Sequence, residues 1–131
     1  MLEFFAFSAA FGFLAAAIVI ALGSHLARAW RKWWLPAALA VVFAGFSMVA
    51  WLYEGAGGFW VEHTRNHWGN QIWFDLLLAI GVAWALLVPR ARRVGMSPWP
   101  WLVAVVCTGS VGLCAMLART FYLEEGSRTS T

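Results

Sequence analysis

Residues 4–23 read FFAFSAAFGFLAAAIVIALG. Twenty residues pass without a charge, and as a helix they extend about 30 Å, the thickness of a bilayer's hydrocarbon core. A secretory leader is the competing interpretation. It fits poorly, because the start, Met1-Leu-Glu-Phe-Phe, lacks a basic stretch and the positive cluster follows the apolar run. The run therefore reads as a retained transmembrane helix with its N-terminus outside.

Working outward, three more apolar spans follow. With the first taken as about residues 4–27, they cover about 33–53, 71–88 and 99–123. Pro36 falls in the first turn of span two, where a missing N–H is tolerated. Pro89 is expected to stop span three. Span four is entered through Ser97-Pro98-Trp99-Pro100. The expected architecture is all-α: one transmembrane domain over residues 1–131, built as a four-helix up-down bundle, since loops of this length favour antiparallel neighbours.

Composition agrees with the spans. The chain is 63% hydrophobic and 11% charged, where soluble domains carry about 25% charged residues. So small a soluble fold leaves too much surface in water to hide that apolar content. Ten Trp against two Tyr suits a membrane interface, where indole sits in apolar material and its N–H reaches water.

Charge is distributed by loop. Arg28, Arg31 and Lys32 precede span two, and Arg90, Arg92 and Arg93 follow span three. Loop two (residues 54–70) holds Glu54, Glu62 and Arg65, and the tail holds Glu124, Glu125 and Arg128. Basic loops stay cytoplasmic, so the expectation is loops one and three inside, with loop two and both termini outside. The clusters are too small for a nucleic-acid site. Topology is their first reading, and contact with anionic lipid headgroups the second. Cys107 and Cys114 lie seven apart, about 10 Å on one helix, too far for a disulfide.

Few residues carry chemistry. Asp75 and Arg119 each fall about one turn below the expected outer end of their span. Intramembrane charges tend to pair, so an Asp75–Arg119 ion pair locking two helices is one expectation. The alternative is a polar floor under an outward-facing pocket of Glu54, Glu62, His63, His67, Asp75 and Arg119. His63 and His67, at i and i+4, share a face if helical and could hold a metal. The plainer reading is interfacial polarity between Trp60 and Trp68. His25 could ligate haem, but spans two to four offer no second His; snorkelling toward the inner headgroups is the alternative. No nucleophile-base set, phosphate loop or CxxC occurs. Thr108-Gly-Ser-Val-Gly112 reads as a small-residue face for close helix packing.

Residues 66–125 carry a further pattern. Asn66-His-Trp-Gly-Asn-Gln-Ile-Trp-Phe-Asp75-Leu-Leu-Leu leads to Ala91-Arg-Arg-Val-Gly-Met96; Trp99 or Trp101 then opens a helix with Gly109-Ser110, ending at Phe121-Tyr-Leu-Glu124. This resembles a family of small, uncharacterised bacterial four-helix integral-membrane proteins, although the last helix lacks the Pro expected near its outer end. The resemblance implies a bacterial inner membrane and no particular activity.

Three functional expectations follow. The first is a non-catalytic accessory subunit, or a lipid- or pigment-contacting partner, of a larger membrane complex. The second is a small transporter or membrane enzyme for a lipophilic substrate, using the outer polar pocket. The third is metal or haem binding. The bilayer is the one partner the residues require; a larger complex or a homo-oligomer would be the protein partner, and no cofactor is required.

Overall fold

The computed structural model describes residues 2–23 and 32–129. Among them are six α-helices and no strand: α1 (Leu2–Ala21), α2 (Trp34–Glu54), α3 (Gly58–Thr64), α4 (His67–Arg93), α5 (Pro98–Thr108) and α6 (Ser110–Thr129). The all-α class is as expected. Arg28, Arg31 and His25 lie outside the described residues.

Two helices, α2 and α4, are long and apolar enough to cross a membrane. Their ends have local causes. Pro36 sits in the first turn of α2, and Gly55, at φ 77°, ends it with its N–H on the Trp51 carbonyl at 2.9 Å. Asn66 caps α4: its backbone is extended and its side chain accepts from the Gly69 N–H at 2.8 Å, satisfying one of the donors a helix start leaves free.

Pro89 does not stop α4, which continues to Arg93. A proline inside a helix costs about 3 kcal/mol. Packing on both sides of it offsets that cost. Leu87 and Ala91 straddle Pro89 and are both buried against Met116 on α6. The helix stops instead at Gly95. There φ is 79°, Gly95 N–H bonds Arg92 O at 3.0 Å, and Met96 N–H bonds Ala91 O at 3.0 Å. These are the two hydrogen bonds of a Schellman cap.

The largest departure from expectation is span four. Residues 99–123 do not form one helix. The chain turns back at Gly109 (φ 59°, ψ −122°), a conformation open to glycine and strained for other residues. α5 and α6 then run antiparallel as a hairpin. Gly112 lies so close to α5 that a Cβ there would sit 2.7 Å from the Ala104 backbone. Further along, the Thr120 hydroxyl reaches Met96 Sδ at 3.6 Å. The stretch read as a helix-packing face, 108–112, is thus the corner of the hairpin. Cys107 and Cys114 fall on different arms and both are free thiols.

The hairpin also relocates the C-terminal segment. Glu124 accepts two hydrogen bonds from Arg90, at 2.5 and 2.6 Å, and Glu125 pairs with Lys32 at 3.4 Å. Trp33 meets Tyr122 edge-on at 5.8 Å. The tail therefore lies beside Lys32 and Arg90 at one end of the molecule, called the basic end below. The expectation that both termini lie opposite the basic loops is overturned for the C-terminus, as is the simple up-down bundle. Acidic residues carry little orientation information of their own, and here they act as counterions to the loops.

The core sits in this half. Leu87, Ala91 and Met116 form its centre, lined by Trp84, Val88, Met96, Trp101, Leu113 and Leu117. Thr120 is fully buried and donates to Met116 O at 2.9 Å. The other half is open. Every residue of α2 from 41 to 54 is exposed, and no residue of α4 before Leu87 is buried. The cause is the hairpin's reach: a Cβ at Gly109 would lie 3.7 Å from Ile80 Cδ1, and Ile80 is midway along α4. α1 stands outside the closely packed helix pairs and leaves Phe7, Phe11 and Phe13 about three-quarters exposed.

Candidate functional site

At the end opposite Lys32 and Arg90, loop two contains a short helix. α3 lies against the first turns of α4. Gly69 makes this close approach, with the Glu62 carbonyl oxygen where a side chain would be. His63 Nδ1 is 2.5 Å from Phe59 O, and its ring meets Trp73 at 4.9 Å. Glu62 pairs with Arg65 at 3.0 Å; both are exposed, so the pair contributes little.

His63 and His67 do not share a helix face. α3 ends at Thr64 and α4 begins at His67, with the extended residue Asn66 between them. The i, i+4 geometry expected of this pair is broken by the cap. Among the described residues, no group of three or more His, Cys, Asp or Glu side chains is placed to hold a metal ion.

The expected ion pair is also not formed. Arg119 lies over the Tyr122 ring at 5.6 Å, and Tyr122 contacts Trp33 at the basic end. Asp75 is 15 residues before Arg90 on α4, about 22 Å away along the axis. The equal depth inferred for Asp75 and Arg119 assumed an unbroken fourth span, and the corner at Gly109 removes that assumption.

Of the six residues proposed for an outer pocket, the structure brings together two. His67 and Asp75 share a shallow groove with Asn70, Gln71, Phe74 and Leu78. All six lining residues belong to α4. They recur at three- and four-residue intervals and so form one stripe on one helix face. Glu54 ends α2, Glu62 and His63 turn to their own partners, and Arg119 is at the other end. Sequence reasoning named Asp75 and His67 but missed Asn70 and Gln71. The i, i+4, i+8 spacing of His67, Gln71 and Asp75 was the available signal.

The stripe has a definite direction. Ile80, which faces the hairpin corner, is five residues beyond Asp75. At about 100° per residue, Asp75 points some 140° away from the hairpin side of α4. Asp75 is exposed, so an acid stands uncovered on the outer face of an apolar helix. Asp75 is about 12 Å along α4 from its start.

The arrangement supplies no catalytic grouping. It supplies amide donors and acceptors, one carboxylate and one imidazole along about 12 Å of helix. The chain matches no protein-family model, no curated protein and no solved structure.

Proposed function

We propose that the chain is a multi-pass protein of a bacterial inner membrane, serving as a non-catalytic accessory subunit of a larger membrane complex. One observation carries this: among the described residues, the chain covers its own apolar surface in one half and leaves it open in the other. The far halves of α2 and α4, and nearly all of α1, present large apolar side chains outward. Lipid can cover most of that surface. A polar stripe on α4 is poorly served by lipid and better served by protein.

Aromatic placement supports the membrane part of the reading. Trp34 and Trp51 mark the two ends of α2, about 26 Å apart along the axis, close to the hydrocarbon thickness of a bilayer. In this reading the basic end, with Lys32, Arg90, Arg92 and Arg93, faces the cytoplasm. α5, of 11 residues, spans about 16 Å, half a bilayer core, so α5 and α6 together form a re-entrant hairpin. Non-helical backbone at such depth is tolerated where it packs on protein, and Ile80 of α4 lies beside the Gly109 corner. The transporter reading loses its support, because its six pocket residues are not assembled within one chain.

Purification from native membranes in mild detergent tests the proposal. The expected result is co-elution with a stoichiometric partner chain in a particle well above 14.5 kDa plus micelle. A solitary monomer or homodimer, with no other chain after gentle extraction, overturns it.

A further inference from the structure

We propose that the α4 stripe of Asn70, Gln71 and Asp75 is a docking face for a transmembrane helix of another chain, one that carries a Lys or Arg at the depth of Asp75. The proposal rests on the reading of α4 as a membrane-crossing helix and names the partner's chemistry.

Depth comes first. α4 has 27 residues and is about 40 Å long. Asp75 is five residues from its midpoint, about 8 Å, inside a hydrocarbon core that extends about 15 Å to either side. A bare carboxylate there is unfavourable and calls for a partner.

Among the described residues, none supplies one. Asp75 makes no ion pair with Arg119, which lies at the basic end with Lys32, Arg90, Arg92 and Arg93. Arg65, outside α4, pairs with Glu62. α1 offers Ser8 as its described polar side chain within the apolar run, and Ser8 donates to its own Phe4 carbonyl at 2.7 Å. The stripe also faces away from the hairpin, so rearrangement of α5 and α6 leaves it uncovered. None of the described residues covers it, and in this proposal the cover is a second chain.

Shape and charge select the occupant. A small ligand wants a concave site that buries most of its surface, whereas this groove is built from a single helix. An open face one helix wide, running from His67 to Leu78, matches another helix. A second copy in the same orientation places Asp75 against Asp75, a like-charge contact that is unfavourable. A helix with one basic residue places a cation against the acid, with Asn70 and Gln71 to hydrogen-bond across the interface.

The test uses the full chain, dye-labelled at its N-terminus, in phosphatidylcholine vesicles. The probes are acceptor-labelled Leu/Ala helices of about 22 residues, long enough to span. One carries a single Lys at the depth of Asp75; the others carry Leu or Asp there. Energy transfer is expected with the Lys probe, about tenfold weaker association with Asp75→Asn, and recovery when Asp75→Lys meets the Asp probe. The tenfold figure corresponds to the 1–2 kcal/mol typical of polar contacts between membrane helices. Equal transfer with the Leu probe, equal transfer with Asp75→Asn, or self-association of the chain that Asp75→Asn abolishes would each sink the proposal. A failed Lys probe alongside a native complex removes this face as the docking site and leaves the accessory-subunit reading standing.

Discussion

Gly112 is the residue on which the hairpin most visibly depends. Its lack of a side chain lets α6 touch the α5 backbone at Ala104. In Gly112→Ala the new methyl meets main chain, which cannot swing aside as a flexible side chain would. The helices must part, and separating packed elements costs typically 1–3 kcal/mol. Gly109→Ala is expected to lose a similar amount through strain at φ 59°. Thermal unfolding in detergent, followed by circular dichroism, should show both variants lowered, while Gly45→Ala, in open space on α2, should not be. Arg90 and Glu124 are the second dependence. Their side chains are 30% and 22% exposed, and Arg90 also lies over Phe121 at 4.6 Å. Removing either charge leaves the other half-desolvated. Arg90→Gln and Glu124→Gln are each expected to cost about 2 kcal/mol, and the double variant clearly less than their sum. Additive losses in the unfolding data would mean that the pair does not couple α4 to α6.

At the level of helices, the hairpin changes where the chain ends. In a cysteine-free background, Ser97→Cys and Ser127→Cys are expected to be shielded together from an impermeant maleimide applied to intact cells, with Gly57→Cys labelled. Labelling of Ser127→Cys alongside Gly57→Cys would restore an unbroken fourth span. Much of the helix content was legible from residues near each other in sequence. The apolar runs, Pro36 at one start and the Asp-Leu-Leu run of α4 all announce helices. Gly95 after three arginines also carries a C-cap signal, although the Pro89 stop signal obscured it. The corner at Gly109 was not legible, because a glycine between Thr108 and Ser110 inside an apolar run equally suits a tight helix-helix contact. What decides between the two is distant in sequence: Arg90 with Glu124, Lys32 with Glu125, Thr120 with Met96. The same blind spot produced the unformed Asp75–Arg119 pair. Each residue was rightly flagged as a charge in an apolar run, but their relative depth depended on the fold of everything between them.

Across the whole molecule, packing is divided between two halves. The basic half has a core, buried polar atoms with partners, and two ion pairs between residues distant in sequence. The far half has α3 tucked against α4 and little else. Local opening is therefore expected to be uneven. Amide exchange in detergent should be slowest around Leu87, Ala91 and Met116, and markedly faster along residues 67–78. Uniform protection along α4 would contradict a core confined to one half. A docked partner helix is expected to slow exchange in 67–78 selectively.

The turn at Gly109 also bears on how the chain is made. In the proposed placement α4 crosses the bilayer to the cytoplasmic side, and α5 and α6 dip to mid-depth and return to that side. Everything after Arg93 then reaches its position from the side on which it was synthesised. Glu124 and Glu125 need no passage through the hydrocarbon, and the two acids meet Arg90 and Lys32 without leaving that compartment.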